Sequence, residues 1–207
     1  MSAPATLSSQ QFVQYIESGF DEVFPAVVPD PIVYAPSQFS LTKLGMKVST
    51  DARIFGRENV KFVDNCVMQS ECIVRADLRR VELGSYCYLD TRCILRPFSR
   101  MTSTGMAFFP LKLGNFVYIG SDTVVEAASV GNYCVVEANA VLGSRCQLSD
   151  ICKVLRNSVV LPDTVIPSYA VYGGNPAVYV RSLPEGARSD IVDLCTLHYN
   201  NVVVKDK

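Results

Sequence analysis

Histidine is almost absent from this chain: His198 is the single one among 207 residues. A metal site built from three imidazoles is therefore excluded, and any histidine general base has to be that one residue. Close C-x₂₋₄-C pairs are absent too, although there are eight cysteines, so a structural zinc finger is excluded by spacing. No stretch approaches the roughly 18 unbroken apolar residues of a membrane-spanning helix. The opening MSAPATLSSQ lacks the basic and apolar regions of a secretory signal. Neither sign of charge dominates, with 19 basic and 20 acidic residues and a net charge of -1, which leaves no nucleic-acid footprint and no polybasic membrane patch. The compartment predicted from these absences is the cytosol, where the cysteines stay reduced.

What is present is a period of six. Aliphatic residues fall at Leu113, Ile119, Val125, Val130, Val136, Leu142, Leu148, Val154, Val160 and Ile166, with one step a residue short. Four places after each comes a residue no larger than valine: Val117, Thr123, Ser129, Cys134, Ala140, Cys146, Cys152, Ser158, Thr164 and Ala170. A helix repeats its apolar face every three or four residues and a strand every two, so neither produces this spacing. Six-residue units of short parallel strand plus sharp turn do, three to a triangular coil, in a parallel β-helix of about six coils. The aliphatic residue is predicted to fill the prism and the small residue to lie by a corner, with Gly114, Gly120, Gly131 and Gly143 easing the turns. Cys66/Cys72, Cys87/Cys93 and Cys146/Cys152 are six apart and take the small position, so the cysteines are predicted to be core filler.

Residues 1–46 follow no hexad and form an N-terminal extension. Within it, Gln11 to Phe24 carries Phe12, Val13, Ile16, Phe20, Val23 and Phe24 near helical spacing, and four prolines between Pro25 and Pro36 then forbid regular structure. Coils are predicted over 47–180. The pattern lapses at 97–111, where RPFSRMTSTGMAFFPLK should leave one corner as a loop with Phe108, Phe109 and Pro110 at its tip. Those three side chains are candidate partner contacts, or else fold back to cover their own coil. Residues 181–207 read as a helix and tail. Its stripe is Ile191, Leu194, Cys195, His198 and Tyr199, with Ser189 or Asp190 available as a cap.

Three resemblances bear on function. The segment GGNPAVYVR is similar to the one that closes the coils of hexapeptide acyltransferases. Their histidine base between stacked subunits has no counterpart here, because His198 lies in the predicted helix. The run VRADLRRVELGSYCYLDTRCILR resembles the γ-class carbonic anhydrase family, with Arg75 and Asp77 matching its arginine and aspartate. That family's three zinc-binding histidines align with Arg96, Ser121 and Glu126, and an arginine, always a cation, cannot ligate zinc. Without a metal-bound hydroxide, carbon dioxide hydration has no nucleophile, so loss of activity is expected. With no cofactor and no metal implied, Arg96 and Glu126 are expected either to pair where the metal was or to stand as two solvated surface charges.

RADLRRVELGSYC, RPFSR followed by GMAFFPLKLG, and the terminal LPE before a helix resemble the dynactin subunit 5 family of this superfamily. The likeness runs from about Lys47 to Tyr199, while GGNPA is closer to the enzyme-type ending. It implies a left-handed winding and a non-catalytic structural and adaptor role. The implied partners are dynactin subunit 6, the pointed-end actin-related protein and a further pointed-end subunit, with dynein and cargo adaptors reached indirectly. The implied location is the cytoplasm and cytoskeleton, without membrane insertion or nucleic acid.

Overall fold

A computed structural model describes residues 31–35, 37–103 and 105–204. The predicted segment Gln11 to Phe24 lies outside them. The hexads wind into a left-handed parallel β-helix of about six turns with three walls. The first wall runs from Lys47–Ser49 through Val67–Met68, Tyr88–Leu89, Val117–Ile119, Cys134–Val136 and Lys153–Val154 to Ala170–Gly173. Antiparallel strands close both its ends: Phe39–Leu41 pairs with Lys47–Ser49, and Val178–Ser182 pairs with Ala170–Gly173. So part of the predicted extension belongs to the sheet. The second wall comprises Arg53–Phe55, Ile73–Arg75, Ile94–Leu95, Val124–Val125, Val141–Leu142 and Val159–Val160. The third comprises Val60–Phe62, Val81–Leu83, Leu111–Leu113, Ser129–Val130, Gln147–Leu148 and Val165–Ile166. Pro162 and Pro167 flank that last strand, and a proline beside an edge discourages further strand addition.

The interior is the predicted one. Leu83, Leu113, Ile119, Val136, Leu142, Val154 and Ile166 are all buried in one continuous cluster, each worth roughly 1.5–3 kcal/mol of burial. All eight cysteines are free thiols and buried, seven of them in the prism. Six of them meet in pairs from neighbouring coils, Cys66 with Cys87, Cys72 with Cys93 and Cys134 with Cys152, and Cys93 Sγ donates to Cys72 Sγ over 3.4 Å. Hydrogen bonding within the pair and then burial push the Cys87, Cys93 and Cys134 thiols far above their ordinary pKa, and burial takes Cys146 to about 12. Protonated and enclosed, they behave as small hydrophobes.

The glycines do a different job from the expected one. Gly114 and Gly120 follow the aliphatic residue where neighbouring coils touch, and a Cβ there would lie 2.7 Å from Asn132 N or 2.5 Å from Ala138 N. They permit close stacking. The turn itself is made two residues later by a left-handed residue that is not glycine, such as Tyr86 (φ 54), Phe116 (φ 54), Asp122 (φ 58) or Ile151 (φ 58). Backbone bonds from coil to coil fix these conformations, and the side chains point outward, so each corner carries its own ladder. The third-to-first corner reads Asn65, Tyr86, Phe116, Tyr133, Ile151 and Tyr169. The first-to-second corner reads Glu71, Arg92, Asp122, Asn139 and Asn157.

Helix α1 (Ala187–Asn201) lies on the first of these ladders. It starts earlier than predicted, with Gly186 as N-cap and no side-chain cap, because Ala187 is fully buried and its N–H is taken by Pro184 O at 3.0 Å. Ser189 and Asp190 therefore sit inside the first turn. Ile191 and Cys195 are buried and Leu194, His198 and Tyr199 half-buried, which is the predicted stripe. After the helix, Val202–Val204 forms a strand parallel to Ile32–Tyr34, a pairing no local pattern announced.

Candidate interaction surface

Arg96 follows the second-wall strand Ile94–Leu95 and Glu126 follows Val124–Val125, and those strands are hydrogen-bonded neighbours. Stacking thus puts the two side chains at one edge, with Arg96 Nη1 3.2 Å from Glu126 Oε1. The other carboxylate oxygen accepts from Ser144 Oγ at 2.6 Å. Both side chains are partly exposed, so the pair fixes geometry and adds little stability. Ser121 is not part of this arrangement. It precedes the corner residue Asp122, and its hydrogen bonds run through its carbonyl, to Asn139 N at 2.8 Å and Thr123 Oγ1 at 3.4 Å. Zinc does not fit this donor set: a guanidinium repels it, and the Glu126 carboxylate is already shared between Arg96 and Ser144. Among the described residues, no three His, Cys, Asp or Glu side chains could hold a metal ion.

One rung earlier, Arg75 grips Asp77 through two bonds of 2.8 and 2.9 Å, and its guanidinium lies 5.5 Å from the Phe55 ring centroid. The hydrogen bond from Arg75 holds the Asp77 carboxyl below its usual range. Arg92 grips Asp122 in the same way at 2.7 and 2.8 Å. Arg75–Asp77 and Arg96–Glu126 lie where the chain leaves the second wall and Arg92–Asp122 at the corner where it enters, so closed ion pairs flank this wall on both sides.

The insertion differs from the predicted loop. It is a β-hairpin of Ser99–Thr102 and Gly105–Phe108, whose cross-strand partners Met101 and Met106 are 72% and 62% exposed near the turn. Phe109 is at the base, its ring stacked on Phe98 at 5.0 Å, and Phe108 and Pro110 are half-buried beside it. The tip is therefore methionine, because a ten-residue hairpin needs its aromatic pair where the strands leave the corner.

His198 is far from any catalytic posture. Its ring lies 4.7 Å from Tyr88 and 5.0 Å from Tyr118, which themselves stack at 5.5 Å. Burial lowers its pKa, against a smaller opposing pull from Asp90. Below it, Lys47 Nζ donates to Tyr199 O at 2.8 Å and lies 3.8 Å above the Tyr199 ring, binding the last turn of α1 to the first coil. The aromatic ladder beneath the helix escaped the sequence reading. Tyr86, Phe116 and Tyr133 stack at 5.2 and 5.6 Å, and Arg188 donates to Tyr133 Oη at 3.0 Å. Reading one position per coil, three after the third-wall aliphatic, would have found it. The Lys153–Glu137 ion pair on the first wall, 2.8 Å long with Lys153 buried, carried no local signal.

Comparison with known proteins gives a consistent picture. The family model described as Dynactin subunit 5 matches residues 30–205. Dynactin subunit 5 of Dictyostelium discoideum is 32% identical over 155 residues, which cover 75% of this chain and 78% of that protein. Mitochondrial gamma carbonic anhydrase 2 of Arabidopsis thaliana is 26% identical over 114 residues, 55% of this chain and 40% of that one. Among solved structures, a hexapeptide transferase family protein from Anaplasma phagocytophilum superposes with a TM-score of 0.57 at 17% identity, covering 74% of this chain and 88% of that one, a likeness of fold.

Proposed function

The chain belongs to the dynactin subunit 5 family, and from that premise we propose that it is a non-catalytic structural and adaptor subunit of the dynactin pointed-end complex. The observation that carries the reading is the family match across residues 30–205, and the Arg96–Glu126 pair, at positions that resemblance aligns with the carbonic anhydrases' metal-binding histidines, supports it. In this reading Arg96, Ser121 and Glu126 are vestigial metal positions. The rod docks beside dynactin subunit 6, the pointed-end actin-related protein and a further pointed-end subunit. Through them it supports dynein recruitment to cargo in the cytoplasm, on the cytoskeleton. Rigid ladder walls suit that work because they present flat, fixed surfaces. The hairpin with Phe108, Phe109 and Pro110 at its base, and the outer side of α1, are the proposed contacts.

A pull-down under mild lysis tests this. Co-recovery of actin-related proteins and dynein components is the expected result, and a chain recovered as a lone homotrimer overturns it. The related enzymes supply the competing reading, a carbonic anhydrase or acyltransferase. Near-stoichiometric zinc with carbon dioxide hydration, or thermal protection by acetyl-CoA, would establish it.

A further inference from the structure

The outward column of the second wall is Ile73, Ile94, Val124, Val141 and Val159, five β-branched aliphatic residues in register. None of them joins a cluster of buried side chains, and Val141 and the adjacent Leu161 are 37% and 51% exposed. The third wall has Lys61, Glu82, Lys112, Ser129 and Gln147 at the same place, which water satisfies, and turns aliphatic only at its last rung, Val165. A continuous, half-exposed aliphatic stripe of this kind marks a contact surface.

Charge defines its surroundings. Along its margins the pairs Arg75–Asp77, Arg96–Glu126 and Arg92–Asp122 are closed within the chain and offer a partner no net field. At the first-coil end the stripe opens into a groove of about 720 Å³ whose lining includes Asp51, Arg53, Glu71, Ile73, Arg92 and Ile94. Arg92 is committed to Asp122, and among the described residues Asp51, Arg53 and Glu71 form no salt bridge. Two carboxylates against one guanidinium leave the groove short of positive charge.

We propose that the second wall binds an amphipathic helix of a partner protein, its apolar face along the stripe and a lysine or arginine near one end entering the acidic groove. A helix suits the face better than an extended peptide. The wall's backbone groups are used in its own ladders, so a strand laid across them would leave its polar groups unpaired. Five rungs about 4.8 Å apart span about 19 Å, the length of about 13 helical residues. The chain covers its first wall with a helix in the same way. A second copy packed face to face would set Asp51 and Glu71 against Val159 and Leu161, burying carboxylates without partners. The proposal is independent of the complex in which the chain assembles.

The test pans the full-length protein against random peptides of about 15 residues, long enough for the stripe. Enriched peptides are then measured by fluorescence anisotropy, with circular dichroism confirming that each variant folds. The expected peptides carry apolar residues at i, i+3 or i+4, and i+7, with a basic residue near one end. Val124→Lys or Val141→Lys should weaken binding about tenfold or more, while Gln147→Lys on the third wall leaves it within about twofold. Glu71→Lys should weaken the parent peptide about tenfold and restore binding when the peptide's basic residue is exchanged for glutamate. Peptides without a basic residue, undiminished binding to Val141→Lys, or a charge exchange without rescue overturn the proposal. Dimerisation abolished by Val141→Lys, or binding seen only after residues 1–30 are removed, gives the face to a second copy or to this chain's own segment and overturns it equally.

Discussion

On the first wall the outward column reads Val67, Tyr88, Tyr118, Val135, Lys153 and Val171, and α1 with the Val202–Val204 strand covers much of it. On the second wall the same register carries aliphatic β-branched residues, and no described element covers them. The backbones match and so do the interiors. What differs is the outward position and the corner beside it: stacked rings at the third-to-first corner, ion pairs and amides at the first-to-second. Rings give a helix large apolar area with little side-chain entropy to lose, whereas paired charges stay hydrated and add no apolar area on which this chain's own helix could settle. The hexad builds the prism. The positions it leaves free decide which side is roofed.

Placing one aspartate under the roof and one on the open wall breaks this comparison most sharply. Ile191→Asp forces a carboxylate between α1 and the first wall and should cost about 4 kcal/mol in urea unfolding, with loss of near-ultraviolet dichroism. Val141→Asp should stay within about 1 kcal/mol, since water already reaches that column. At the corners, Phe116→Ala is expected to cost about 2–3 kcal/mol, and Asp122→Ala far less because its pair is solvated. Lys153→Ala leaves Glu137 only the more exposed Arg156, 3.7 Å away, as a charge partner and should cost about 1–2 kcal/mol, a loss that Lys153→Met combined with Glu137→Gln largely avoids.

Docking of α1 should also depend on pH. Burial lowers the pKa of His198 in the folded state, so folding favours the neutral ring. The stability this gives is complete above the ordinary histidine value of about 6.5 and is lost as pH falls towards the lowered one. Asp90 opposes this and makes the slope shallow. Melting curves between pH 7 and pH 5 should show His198→Phe removing the slope while keeping the ring contacts. The smallest effect expected is at the Arg96–Glu126 pair. Arg96→Met should shift stability by less than about 1 kcal/mol.

The interior was legible because Ile119, Leu142 and Val160 recur at a spacing no other fold uses. The outward ladders were equally periodic, but their period is a whole coil, and only the walls' registers turn Tyr86, Phe116 and Tyr133 into neighbours. The hairpin was read as a loop because Ser99–Thr102 and Gly105–Phe108 alternate weakly and are too short to declare themselves as strands. Of the aligned metal positions, Arg96 and Glu126 meet and Ser121 does not. Sequence spacing fixes which coil a residue joins, while its direction from the wall depends on where the strand stops.

The pairing of Ile32–Tyr34 with Val202–Val204 bears on how the protein is made. Successive coils can settle as they leave the ribosome, since each needs only the one before it. The clasp over the first wall must wait until residue 204 has been synthesised, because its two strands lie at opposite ends of the described chain. Until then the rings of Tyr88, Tyr118 and Phe116 lack the cover of α1 and its strand, and nascent chains stalled before α1 should be the species that chaperones hold.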